Sequence, residues 1–132
     1  MLFVSPAQHH VKCPTETIQA EEGDDVTLRF DLDPRVNLED YTLDIKRDNK
    51  IIHVYRHGKD LTDPQMERYR NGTTLIHEDL SRGIVTLQIS SVQLKDSGPY
   101  QCFKKRNVDI SPLRKQILVV EEEIYFILLS FY

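Results

Sequence analysis

The sequence predicts an all-β fold in which two sheets pack face to face as a Greek-key sandwich. Short runs of alternating apolar and polar residues recur along the 132-residue chain, and turn residues separate them. No stretch has a convincing helical period. About seven to nine strands at this spacing suit a sandwich better than a barrel or a parallel sheet.

The predicted strands cover residues 26–30, 41–46, 51–56, 73–76, 84–89 and 116–120. In the first of them Val26, Leu28 and Phe30 alternate with polar residues, as in a strand with one face buried. A long polar stretch with Pro64 inside it covers residues 60–71.

The most specific motif lies at residues 96–102, DSGPYQC. Asp96 and Gly98 predict a turn. The ring of Tyr100 is expected to fold back into the corner, and the side chain of Cys102 to point inward from the next strand. This spacing resembles the tyrosine corner and second cysteine of an immunoglobulin-type sandwich.

Four further stretches resemble the butyrophilins and myelin-oligodendrocyte glycoprotein: GDDVTL at 23–28, HVYRHGKD at 53–60, YRNGTTL at 69–75 and IVTLQI at 84–89. The resemblance implies an immunoglobulin variable-type domain at residues 15–120, and the extra run at 51–56 fits that type. An N-terminal arm, 1–14, and a C-terminal tail, 121–132, complete the predicted organisation.

The chain departs from the family pattern at three positions. Phe30 stands where the family has the strand B cysteine, and Ile45 where it has the strand C tryptophan, so the usual B–F disulfide and indole are lacking. A disulfide of that span contributes about 4 kcal/mol, and a buried phenylalanine returns about 1.5–3 kcal/mol, which predicts a weakly stable domain. Gly72 replaces an arginine that can pair with the Asp of the corner, and Arg70 is the candidate substitute.

Of the two cysteines, Cys13 precedes the first strand, which is expected at a sheet edge, whereas Cys102 should face the core between the sheets. Cys102 is expected to be a buried small hydrophobic residue, and Cys13 to be exposed or paired with another chain. A Cys13–Cys102 bridge is the alternative, and it would require an edge strand to enter the core.

The composition and the chain ends limit the function classes. The formal net charge is −4 and the basic residues are scattered, which argues against a nucleic-acid partner. Residues 1–4 are apolar but Pro6 interrupts them, so no signal peptide is predicted. Residues 124–132 are almost wholly apolar, and we interpret them as the clipped start of a membrane anchor or as an unrelated tail.

In this family the recognition surface is the sheet of strands G, F, C and C′. If Ile45 and Cys102 point inward, strand alternation turns their neighbours outward. The predicted partner-binding residues are Asp44, Lys46, His53, Tyr55, Gln101, Phe103 and Lys105. The alternatives are a solvated sheet face with two chance aromatic residues, and a face used for self-association.

Other candidate sites are few. Asn71 opens an Asn-Gly-Thr acceptor sequence for N-glycosylation. His9, His10 and Cys13 are close in sequence, but a structural zinc site needs a fourth ligand, so no metal or other cofactor is predicted. No nucleophile elbow, HExxH pair or phosphate-binding glycine loop is present, so an enzyme is not expected and neither is a small-molecule substrate.

The resemblance therefore implies a cell-surface module that binds a protein receptor on lymphocytes and modulates T-cell responses. Its expected location is the extracellular face of the plasma membrane, or outside the cell after secretion. An adhesion module that binds a second copy of itself is one alternative. A truncated, diverged product that binds no ligand is the other.

Overall fold

The computed structural model describes residues 16–31, 35–113 and 115–122, which contain ten strands and three short 3-10 helices. The strands are β1 Glu16–Glu21, β2 Val26–Asp31, β3 Thr42–Arg47, β4 Lys50–Arg56, β5 Lys59–Leu61, β6 Thr73–Leu75, β7 Ile84–Ile89, β8 Gly98–Arg106, β9 Asp109–Pro112 and β10 Gln116–Glu121. The 3-10 helices are Glu67–Tyr69, His77–Arg82 and Leu94–Asp96.

The strands form two sheets, as the sequence predicts. The larger sheet has the order β1-β10-β8-β3-β4-β5, with β9 also paired to β8, and the smaller has the order β2-β7-β6. β1 pairs with β10 in parallel, and the other pairings are antiparallel. β3, β4 and β8 take the places of strands C, C′ and F. The prediction of an all-β, two-sheet sandwich is confirmed.

Phe30, Ile45 and Cys102 lie together in the core where the family has its disulfide and tryptophan. All three are buried and belong to one hydrophobic cluster, which both sheets supply. Ile45 on β3 is the register partner of Cys102 on β8, and Phe30 comes from β2 in the other sheet. Within the described residues Cys102 is a free thiol. Apolar packing therefore replaces the covalent link between the sheets.

The corner preceding β8 is closed by a buried polar network. The hydroxyl of Tyr100 donates to the backbone carbonyl of Asp96 at 2.6 Å, and Gly98 has a φ of 140° that a side chain would strain. The fully buried carboxylate of Asp96 pairs with Arg68 at 2.5 Å. Arg70, the candidate predicted from the sequence, instead donates to the backbone carbonyl of Asp63, so that assignment is wrong.

The predicted arm and almost all of the predicted tail lie outside the described residues, as do Cys13 and the apolar run 124–132. The boundary at residue 120 stays a prediction, since β10 ends at Glu121. Among the residues that the structure describes, no helix is long and apolar enough to cross a membrane.

Candidate recognition face

Five of the predicted partner-binding residues lie on the side of the larger sheet that faces away from the core. Leu43, Ile45 and Cys102 project into the core, so their neighbours on β3 and β8 project to the opposite side. The register places Asp44 beside Phe103 and Lys46 beside Gln101. We call the outward set of Asp44, Lys46, Gln101, Phe103 and Lys105 the recognition face.

The recognition face combines one aromatic ring with charged groups. Phe103 is partly buried, and the ammonium of Lys46 lies 5.6 Å from the centre of its ring. Lys105 is paired with Asp44 at 2.5 Å, and this contact leaves Asp44 buried although its side chain points outward. A depression of about 250 Å³ beside Phe103 is lined by Lys46, Asp48, Asn49, Pro99, Gln101, Phe103 and Lys115.

The prediction that His53 and Tyr55 face outward is wrong. Both are buried, and Tyr55 belongs to the core cluster. The cause is a register shift between Ile45 and Lys46, after which Ile45 pairs with His53 and Leu43 with Tyr55. The bulge thus turns these two residues of β4 to the core side of the sheet.

His53 has a structural role between β4 and its neighbours. Its Nδ1 lies 2.8 Å from the hydroxyl of Thr73 on β6, and its Nε2 lies 2.9 Å from Oδ1 of Asp60 on β5. Asp60 also contacts His77 at 3.0 Å. These contacts join the end of the larger sheet to the smaller one, and they occupy both ring nitrogens of His53.

A hairpin that the sequence interpretation missed extends the recognition face. β8 turns into β9 at Asn107, whose φ is 57°, and Phe103 pairs with Pro112 while Lys105 pairs with Ile110. Val108 is 92% exposed and Ile110 is 61% exposed, so apolar side chains reach solvent beside Phe103. The alternation of Val108, Ile110 and Pro112 with polar residues is the signal that identifies this short strand. We call these three residues the hairpin ridge.

Asn71 lies in an exposed turn between the first 3-10 helix and β6. The hydroxyl of Thr73, the third residue of the acceptor sequence, accepts from Gln65 at 2.8 Å and donates to the carbonyl of Tyr69 at 3.2 Å. Asn71 as a glycosylation site stays a prediction. In the part of the chain that the structure describes, no group of three or more potential ligands is placed to hold a metal ion. His9, His10 and Cys13 lie outside that part.

Comparison with known proteins identifies the relatives of this sandwich. Human butyrophilin subfamily 2 member A2 is 36% identical over 112 residues, which cover 82% of the chain and 21% of that protein. Myelin-oligodendrocyte glycoprotein of Callithrix jacchus is 35% identical over 98 residues, covering 73% of the chain and 40% of that protein. The chain has an immunoglobulin V-like domain whose homologues are butyrophilins and myelin-oligodendrocyte glycoprotein. No protein-family model matches it.

Solved structures agree on the fold. Bovine butyrophilin superposes with a TM-score of 0.76 at 26% identity, covering 83% of the chain and 52% of that structure. The human B7-H4 IgV-like domain superposes with a TM-score of 0.69 at 22% identity, covering 81% of the chain and 94% of that domain. At that identity the second match supports the fold alone. The chain spans only 21% to 40% of the length of the two curated relatives.

Proposed function

We propose that this immunoglobulin V-like domain is a cell-surface recognition module. In this proposal it binds a protein receptor on lymphocytes and modulates T-cell responses without turnover. It acts at the extracellular face of the plasma membrane or after secretion. The contact surface is the recognition face together with the hairpin ridge.

The observation that carries this proposal is the exposed pair Val108 and Ile110, which lies on the same hairpin as the partly buried ring of Phe103. Val108 and Ile110 are 92% and 61% exposed, and Ile110 lies on β9 opposite Lys105. An apolar centre with a charged rim is the composition expected of a protein-binding surface. Lys46 and the paired Asp44 and Lys105 supply that rim.

Support for a lymphocyte receptor comes from the relatives and neighbours. The homologues are butyrophilins and myelin-oligodendrocyte glycoprotein. A third structural neighbour, with a TM-score of 0.71 at 18% identity, belongs to a crystal structure of ICOS in complex with ICOS-L and an anti ICOS-L VNAR domain. The surface composition supports binding of a protein, and the relatives suggest which kind of protein that is.

The test is binding of the fluorescent, tetramerised full chain to primary T cells. The double variant Phe103→Ala, Ile110→Ser should lose staining while its thermal midpoint stays within a few degrees of the parent. The matched control is Thr27→Ala, Gln88→Ala, two exposed residues paired on the smaller sheet. Undiminished staining by the first variant, or equal loss by the control, would contradict the proposed surface.

Self-association is a second candidate function because the same exposed apolar residues would suit a copy of this chain. Sedimentation of the full chain at increasing concentration distinguishes the two. A dimer that forms with concentration and is lost in the Phe103→Ala, Ile110→Ser variant supports adhesion. A monomer that binds no T-cell population supports the diverged product without a ligand.

A further inference from the structure

A basic pocket lies at the tip of the β8–β9 hairpin, where its lysine and arginine project from β8 on the side of the sheet opposite to the recognition face. It has a volume of about 430 Å³ and is lined by Tyr41, Lys104, Arg106, Asn107, Asp109, Ile110 and Ser111. Its size is within the range of small-ligand sites, and it can hold one side chain. Apart from the aliphatic wall of Ile110 and the ring of Tyr41, its lining is polar.

Two cations converge on the ring of Tyr41 in this pocket. The ammonium of Lys104 lies 4.9 Å from the ring centre, and the guanidinium of Arg106 lies 5.3 Å from it. Each gains a favourable contact with the ring face. Their like charges repel each other, however, and an anion placed between them would relieve that repulsion.

Lys104 and Arg106 differ from Lys105, their neighbour on β8, in having no carboxylate partner among the residues that the structure describes. Lys105, which points to the opposite side of the sheet, is neutralised by Asp44 at 2.5 Å. Within the described ranges neither Lys104 nor Arg106 forms an ion pair with a carboxylate. Arg106 is the register partner of Asp109, yet the two side chains are not within ion-pair distance. The pocket is therefore locally cationic in a chain whose formal net charge is −4.

We propose that this pocket binds a carboxylate, supplied by an acidic side chain of the protein partner. The guanidinium of Arg106 offers a planar pair of donors and Lys104 a point charge, which suits a carboxylate held from two sides. Ile110 belongs both to the pocket wall and to the hairpin ridge, so a partner covering that ridge would place its side chains at the pocket mouth. This inference names the chemistry of the partner and rests on the proposed function.

The test is a titration of the isotope-labelled full chain, followed by NMR amide shifts. The probes are N-acetyl-glutamate amide, the neutral N-acetyl-glutamine amide and N-acetylneuraminic acid. We expect saturable shifts at residues 41 and 104–111 with the glutamate probe and none with the glutamine probe. Lys104→Ala should weaken binding by about threefold to tenfold, since each charge-assisted contact at a partly exposed site is worth that much.

Two more variants sharpen the result. Asp109→Asn removes the acidic group from the pocket rim and should tighten binding of the glutamate probe several-fold. Lys59→Ala removes an exposed lysine on β5, away from the pocket, and should change nothing. Equal binding of the glutamine probe, or shifts that survive loss of both Lys104 and Arg106, would overturn the proposal. Saturable shifts with N-acetylneuraminic acid alone would overturn it in favour of a sugar acid.

Failure here is distinguishable from failure of the proposed function. Suppose that T-cell staining is lost in the Phe103→Ala, Ile110→Ser variant but kept in the Lys104→Ala, Arg106→Ala variant. The proposed recognition surface is then supported, and carboxylate binding in the basic pocket is ruled out as part of T-cell recognition. If the glutamate probe binds and no T-cell staining occurs, the pocket stands and the lymphocyte receptor does not.

Discussion

The buried carboxylate of Asp96 is neutralised by Arg68, which lies 28 positions earlier in the sequence and 2.5 Å away in space. The same carboxylate accepts a hydrogen bond from the hydroxyl of Tyr69 and another, at 2.7 Å, from the backbone amide of Gln93. Tyr69 in turn accepts from the guanidinium of Arg47 at 2.5 Å. Arg68 therefore closes a continuous polar network at the tyrosine corner.

Removing Arg68 should destabilise the domain strongly. Arg68→Ala leaves the charge of Asp96 buried without its cation, which typically costs 3–5 kcal/mol, and the partial exposure of Arg68 reduces this to about 2–3 kcal/mol. Urea unfolding measures the change. Arg70→Ala is the matched control, because Arg70 is exposed and should cost less than about 0.5 kcal/mol. Equal losses in the two variants would show that Arg68 does not hold the corner.

The sequence could not assign this role to Arg68. The family pattern directs attention to the position now held by Gly72, and Arg70 is the nearest arginine to it. The residues just before Arg70 form the 3-10 helix Glu67–Tyr69, which turns Arg68 toward the corner, while Arg70 itself lies in solvent. Two residues of spacing in such a turn decide which side chain points inward, and no periodic pattern reports it.

The regular strands were predictable because their alternation directly reflects burial. In β2, Val26, Leu28 and Phe30 are buried while the residues between them are exposed. β4 breaks this rule, since its bulge has no glycine or proline to mark it, and it reverses the expected orientation of His53 and Tyr55. A one-residue shift in a strand turns every later side chain to the other face. The recognition face was therefore predictable on β3 and β8 only.

Phe30 should be indispensable to the core that lacks the disulfide. Phe30→Ala removes a fully buried ring from the centre of the cluster and should cost about 3–5 kcal/mol. A loss of 1 kcal/mol lowers the midpoint of a domain of about 100 residues by about 4–8 °C, so the variant should melt about 12–40 °C below the parent, which is itself expected to melt below about 65 °C. Calorimetry and far-ultraviolet circular dichroism test both statements.

The matched variant for the core is Phe30→Leu, which keeps an apolar side chain and should cost markedly less than the alanine substitution. A parent midpoint above about 65 °C would show that apolar packing fully replaces the disulfide. A small loss in Phe30→Ala would show that the ring is not central to the core.

Asn71 should carry a glycan when the chain passes through a secretory pathway. The residue is exposed in a turn, where a bulky sugar can be accommodated. The full chain, expressed in mammalian cells behind a supplied leader sequence, should show a mass increase that an endoglycosidase removes. Asn71→Gln and Thr73→Val should both abolish the increase, but Thr73→Val should also lower stability because it breaks the hydrogen bonds to Gln65 and Tyr69. An unmodified parent chain would contradict the site.

The domain should lose stability in alkali, beginning with Cys102. Burial raises the pKa of the Cys102 thiol and the pKa values of the Tyr69 and Tyr100 hydroxyls. At Tyr69 the hydrogen bond to the carboxylate of Asp96 raises the pKa further. In the unfolded chain a cysteine ionises near pH 8.5 and a tyrosine near pH 10, whereas the folded chain retains these protons. The stabilisation is therefore complete below about pH 8.5, and the free energy of unfolding falls as the pH rises above it.

Urea titrations between about pH 7 and pH 10.5 should show this decline, at up to about 1.4 kcal/mol per pH unit for each ionising group. Cys102→Ala should remove the part that begins near pH 8.5 and keep the part near pH 10. At pH 8, a thiol reagent should modify Cys102 only in denaturant, because the native thiol is buried and protonated. Rapid modification of Cys102 in the folded chain, or a stability that stays constant up to pH 10.5, would show that the thiol is not enclosed between the sheets.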